Sequence, residues 1–317
     1  MLRVRTVNDV DEFVGAPGDP EGYAETVTSL WDSGESGPQR CFVLEDGPAR
    51  VGRIGFRVAP TVSDRALLGS LPPEELFVYG LHLPWEDDYL GPGRRLFNEA
   101  IASFLDDVPE MLEVRINNDV HPHPEPRCRL LENCGLELFH EKHGFTWVDD
   151  GHPIDPGNRL AFRSVEESGV NVYRSVMAPC GEGTLDRNDR YYWEGCGPAN
   201  WATQMTEYLS EDDASMWLIG YSHDEPIGYV AVVSEEDWGA TIGHIGVIPE
   251  HRGQGYVNDL LAAGTATAQR SGIGTMLSDV DVLNLPMRNA MNKGGHVEDP
   301  QRWHVWVYRG DLATVTG

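Results

Sequence analysis

The sequence predicts an α/β fold in which a mixed β-sheet with helices on its faces is built twice. Three observations carry this. Strand-like and helical stretches alternate along the chain. The order of elements in the first half returns in the second. Glycines also keep a nearly fixed spacing: Gly91 and Gly93 fall 162 residues before Gly253 and Gly255, and Gly135 falls 160 before Gly295. Such self-similarity points to a duplicated plan.

In the first copy, LRVRTV alternates like a short strand and PEGYAETVTSLWDSG has helical spacing. RCFVLEDGPARVGRIGFRVAP is two strands around the turn Asp46-Gly47-Pro48, and ELFVYGLHLP is a further strand. RRLFNEAIASFLDD places Leu96, Ala100, Ile101 and Phe104 on one helical face. MLEVRIN is a strand, EPRCRLLENCG a short helix, and LELFHEKHGFTWV strand material broken by a turn. The polar, turn-rich DDGHPIDPGNR reads as a linker, placing the domain boundary near residue 156 and the domains at 1–155 and 156–317.

The second copy opens with the strand LAFRSVE and the helix GVNVYRSVMAPC, followed by a helical region interrupted by glycine and proline, DRYYWEGCGPANWATQMTEYL. SMWLIGYSHDEPIGYVAVVSE is a hairpin turning near Asp224-Glu225. GATIGHIGVIP is a strand, YVNDLLAAGTATAQRSG a helix, TMLSDVDVLN a strand, PMRNAMNKGG a short helix and RWHVWVYRG the last strand.

With 24 basic and 51 acidic side chains the net charge is -27, and no basic stripe interrupts it, so a nucleic-acid or anionic membrane partner is not expected. A cationic small molecule is electrostatically welcome. Only Lys142 and Lys293 are lysines. No apolar run reaches the roughly 18 residues of a membrane span. The start, MLRVRTVNDVDEF, turns charged at once, unlike a signal peptide. Five scattered cysteines in no metal spacing suggest reduced thiols and a cytoplasmic protein, as monomer or homodimer. His121 and His123 in DVHPHPEP lack a third ligand with supporting spacing, so no metal is expected.

The stretch VIPEHRGQGYVNDLL carries the strongest chemical signal. Pro249 ends a strand, Gly253 and Gly255 permit tight backbone, and a helix starting near Tyr256 leaves its first amides unsatisfied. Free N–H groups, a helix dipole and Arg252 close by make an anion cradle suited to phosphate or pyrophosphate. No Gly-Lys-Ser/Thr follows, so it is not a P-loop, and the turn comes too late in its domain for a dinucleotide fingerprint.

On GHIGVIPEHRGQGYVNDLLAAG and DVDVLNLPMRNAMNKGGH, the second half resembles the GNAT (GCN5-related) N-acetyltransferases. The resemblance implies two tandem acyl-CoA N-acyltransferase-like domains, and acetyl-CoA bound in the second. Arg252 matches the motif arginine and Gly255 its first required glycine, with Val257 where a small residue is usual. The cofactor residues implied are Val247, Arg252, Gly253, Gln254, Gly255, Tyr256, Val257 and Asn284. The family's usual tyrosine acid is replaced by Met291, and the aromatic after the helix-ending glycine by His296. In the first half Gly91 and Gly93 fit the glycine positions, but Asp88 stands where the arginine belongs and Pro92 removes an amide. That half is expected to keep the architecture without the cofactor.

The implied reaction is attack by a primary amine of a small, cationic acceptor on the thioester, which needs a base, an oxyanion donor and an acid. His244, on the fourth strand of the second copy, is the expected base. Asp279 and Asp281 share a strand face and either bind the cationic acceptor, orient a proton relay or are solvated strand-end carboxylates, and the acid is His296, Tyr256 or a bound water. Tyr191, Tyr192, Trp193 and Trp201 either line the acceptor pocket or pack the core. The acidic SEEDWG either attracts the acceptor or is a solvated loop. The competing readings are an inactive acyl-CoA-binding or regulatory protein, and a purely structural tandem.

Overall fold

Strands and helices build two compact units, each with its own core, in a computed structural model that describes residues 1–16, 19–58, 75–86, 88–103, 111–118, 121–209, 214–235 and 239–308. Phe104 and Glu236–Trp238 lie outside the described residues.

In the first unit the strands are β1 (Leu2–Thr6), β2 (Cys41–Asp46), β3 (Ala49–Val58), β4 (Glu75–His82) and β5 (Met111–Asn117). Neighbours from β1 to β4 pair antiparallel, and β4 pairs parallel with β5. The β2–β3 hairpin turns at Gly47-Pro48, with Gly47 at φ 59°. Helix α1 (Val10–Phe13) is followed by α2 (Tyr23–Asp32), α3 (Leu90–Ala102) and α4 (Pro124–Asn133). Leu96, Ala100 and Ile101 are fully buried on the inner face of α3, as their helical spacing requires.

The second unit begins with α5 (Val165–Ser168), α6 (Val170–Cys180), α7 (Arg187–Cys196) and α8 (Pro198–Leu209) after the short β7 (Ala161–Ser164). Then come β8 (Trp217–Ser222), β9 (Glu225–Glu235), β10 (Gly239–Val247), α9 (Tyr256–Arg270), β11 (Thr275–Asp281) and α10 (Leu285–Lys293). His223 and Asp224, both at positive φ, make the tight β8–β9 turn. Helix α9 buries Leu260, Leu261, Ala263 and Ala268. Gly264 lets it lie close on the sheet, since a Cβ there would come within 2.9 Å of Val230.

A single cut near residue 156 does not describe these units. Strand β6 (Glu137–Val148) passes from one to the other: Lys142–Val148 belongs to the second unit and pairs antiparallel with β11. Strand β12 (Val297–Tyr308) makes the return: Trp303–Tyr308 belongs to the first unit and pairs antiparallel with β5. Each unit thus takes a strand segment from the far part of the chain. No helix among the described residues is long and apolar enough to cross a membrane.

Candidate active site

The turn after β10 has the backbone the glycines foretell. Gly253 and Gly255 take φ of 75° and 79°, in the left-handed region, and Gly255 is the N-cap of α9. Among the described residues, no acceptor meets the amides of Gly253, Gln254, Gly255, Tyr256 and Val257. Five consecutive donors at a helix N-terminus form a site for a phosphate or pyrophosphate. Tyr256 and Val257 pack their side chains against the second unit's core, so their contribution to the cradle is backbone.

The guanidinium of Arg252 does not point into this cradle. It donates to the carbonyls of Val247 (3.1 Å), Glu182 (2.6 Å) and Cys180 (2.8 Å), closing the C-terminal end of α6 against the end of β10. A cation there satisfies otherwise orphaned carbonyls and the helix dipole. Arg159, from the stretch read as a linker, braces the other side. It donates to Gln254 O (3.1 Å) and Gly255 O (3.2 Å), pairs with Asp259, and lies 5.0 Å over the Tyr256 ring.

Strands β10 and β11 pair at a single position, Ala240 with Met276. Next, the amide of Ile242 donates to Ser278 Oγ (3.1 Å) instead of to a backbone carbonyl. Beyond it the strands part, and the edge of Gly243–Val247 turned away from β9 has no strand partner among the described residues. A register shift between Ile242 and His244 bends β10 where the opening begins.

His244 sits at that bend, 13% exposed. Its Nδ1 lies 2.7 Å from the Tyr229 hydroxyl and its Nε2 3.0 Å from Asp189 Oδ2. The ring stacks on Tyr229 at 5.7 Å and meets the edge of Trp201 at 5.5 Å. Burial disfavours the imidazolium, but Asp189, by charge and hydrogen bond, outweighs it and raises the pKa. An ionised Asp189 only accepts, so neutral His244 carries its hydrogen on Nε2 and takes one from Tyr229 at Nδ1. Both ring nitrogens are therefore spent within the protein. The carboxylate of this chain of hydrogen bonds is Asp189, 17% exposed.

Lys142 lies in the same cluster, its Nζ 2.7 Å from Asp279 and 3.8 Å from Asp186. Burial works against its charge, but these carboxylates outweigh it and push its pKa up. Asp186 caps α7 by accepting from Asn188 N (2.9 Å) and Asp189 N (3.1 Å), and burial raises its pKa. That cap aims Asp189 at His244.

Asp281 has a structural task. Fully buried, it accepts from Arg187 Nε (2.8 Å) and Nη2 (3.0 Å), and from the amides of Arg187 (3.2 Å) and Leu283 (2.9 Å). Burial opposes its charge, but Arg187 and the amides hold the carboxyl below its usual value. It anchors α7. His296 is also fully buried: its Nε2 lies 3.1 Å from Thr265 Oγ1, and burial lowers its pKa to about 4. Met291, in the place of the family tyrosine, is buried. Asn284 caps α10 by accepting from Met287 N at 3.3 Å. Trp201 is core, whereas Tyr191, Tyr192 and Trp193 are partly exposed on α7.

Residues 185–295 match the family model of the Acetyltransferase (GNAT) family. That match covers about a third of the chain, which is there similar to a GNAT domain. The fold extends beyond that match: a GCN5-related N-acetyltransferase from Sphaerobacter thermophilus aligns over 97% of this chain and 95% of its own, at 17% identity and a TM-score of 0.60. A GCN5-related glucosamine N-acetyltransferase region of a fungal multi-domain GH3 beta-N-acetylglucosaminidase aligns over 97% of this chain and 38% of that one, at 11% identity and a TM-score of 0.55. A tandem GNAT protein from the clavulanic acid biosynthesis pathway aligns over 97% and 98%, at 17% identity and a TM-score of 0.48. No curated protein matches the chain. The protein is thus two GNAT-like α/β units in tandem, with the family match in the second. In the second unit, the sequence pointed to the cradle and to His244. It gave no sign of Asp189, Tyr229, Lys142 or Arg159, whose roles depend on partners far along the chain.

Proposed function

We propose that the protein transfers an acetyl group from acetyl-CoA to a primary amine of a small cationic acceptor. The observation that carries this is the row of five unsatisfied amides from Gly253 to Val257, set beside the parted edges of β10 and β11. The amides would hold the pyrophosphate, with Arg252 and Arg159 keeping their loop in shape. Bound acetyl-CoA supplies the activated acetyl thioester. Asp189 takes the amine proton as the carboxylate of the Tyr229–His244–Asp189 chain, and His244 holds that carboxylate in place. Four carboxylates (Asp186, Asp189, Asp279 and Asp281) against two cations (Lys142 and Arg187) favour an acceptor that carries positive charge.

The test is calorimetric titration with acetyl-CoA, followed by thiol release with a panel of amines. One site per chain is expected, weakened about tenfold in Arg252→Ala, because loss of its three carbonyl contacts loosens the loop. The burial of Met291 and His296 favours one competing reading, a protein that binds acyl-CoA without turning it over. Binding with no thiol release for any amine would select that reading.

A further inference from the structure

The first unit contains a cavity of about 510 Å³ whose polar side chains are Arg50, Arg53 and His82. The rest of its wall is backbone and apolar surface, including Ala16, Val51 and Pro84. The size suits a small organic molecule.

The charges around it are unbalanced. Arg53 is buried and pairs with Asp19, while also donating to Phe13 O (2.8 Å) and Gly80 O (3.0 Å). Arg50 donates to the carbonyls of Glu12 and Val14 (2.8 Å) and meets no carboxylate among the described residues. Arg127 on α4, 7% exposed, donates to Leu81 O (2.7 Å) and Pro122 O (2.8 Å), lies 4.6 Å over Trp85, and likewise meets no carboxylate among them. His82 is half-buried and has no hydrogen-bond partner among the described residues. Burial lowers its pKa, and Arg53, Arg127 and Arg50 lower it further against the opposing Asp19. Three guanidiniums thus face one carboxylate in a chain of net charge -27. Arg127 is held away from water without counter-charge and Arg50 is exposed without a carboxylate, so an incoming anion offsets the local positive charge.

We propose that this cavity binds a small organic carboxylate, its head between Arg50 and His82 and its apolar body on Ala16, Val51 and Pro84. Arg50, Arg53 and Asp19 leave the wall with one net positive charge, which suits a monoanion. The site lies wholly in the first unit and does not depend on the acetyl-transfer reading.

The experiment titrates hexanoate into the full chain at about pH 5.5 and about pH 7.5, on either side of the ordinary histidine value. A bound carboxylate favours the His82 imidazolium, so affinity is expected to rise as pH falls. Each methylene removed from the ligand should weaken binding about fourfold. Arg50→Gln should weaken it about tenfold, and His82→Asn should abolish the pH dependence, with circular dichroism reporting that both variants fold. The proposal is overturned by no binding at about 10 mM hexanoate, by inorganic phosphate binding as well as hexanoate, or by affinity and pH dependence that neither variant changes.

Discussion

His82 and His244 hold the same place in two copies of one plan. Each lies nine residues before the first of a glycine pair, at or near the end of the fourth strand of its unit. Their neighbours are opposite. His244 is clasped between Asp189 and Tyr229, and its pKa is raised. His82 has arginines for neighbours, no hydrogen-bond partner among the described residues, and a lowered pKa. The turns that follow diverge as well. Gly253 and Gly255 take left-handed backbone and leave amides free, whereas α3 starts at Leu90 and draws Gly91, Pro92 and Gly93 into its first turn. The amide of Gly93 is spent on Tyr89 O at 2.8 Å. Gly91 and Gly93 therefore match the later pair in spacing but not in conformation. Duplication has kept the scaffold, while the charges set on it differ.

The contrast can be broken most sharply at its carboxylates. Asp19 supports the fold of the first unit, so Asp19→Ala should cost about 3–5 kcal/mol in denaturant unfolding by leaving Arg53 buried and unpaired. A loss within about 0.5 kcal/mol would show that Arg53 needs no partner. A third histidine extends the comparison. His296 is neutral when folded, with a pKa of about 4 against an ordinary 6.5, so the unfolded chain takes up the proton first. Its contribution is fully present above about pH 6.5 and falls by up to about 3 kcal/mol as pH drops toward 4. His296→Gln should flatten that acid slope in urea unfolding; an unchanged slope would assign it to other groups.

Asp189→Asn should lower amine-dependent thiol release about a hundredfold while leaving acetyl-CoA affinity intact. Loss of affinity with turnover preserved would remove Asp189 from the chemistry. The smallest effects separate the two turns. Gly255→Val strains a left-handed position by about 1–2 kcal/mol and should weaken acetyl-CoA binding about tenfold. Gly91→Ala, in a helix with open space around its Cβ, should leave that affinity unchanged and stabilise the chain by up to about 1 kcal/mol. Equal effects on affinity would mean that the first unit also binds the cofactor.

Much of this was written locally in the sequence. Alternation gave the strands, the hairpin turns at Gly47 and Asp224 followed from their residues, and the glycine pattern located the cradle. The side chain of Arg252 was not legible, because the carbonyls that hold it leave no residue signature. Nor were Asp189 and Tyr229, which only the fold brings to His244. Asp281 looked available on its strand face until α7 delivered Arg187 to it. The strand exchange was hidden for a related reason: alternation shows that a segment is a strand, but not which sheet it joins.

That exchange has a consequence for how the chain is made. Strand β5 waits for Trp303–Tyr308, which are synthesised only after the helices and strands of the second unit. The first unit, begun earlier in synthesis, cannot complete its pairing until the chain has passed through the whole of the second, so its maturation waits on its neighbour's synthesis.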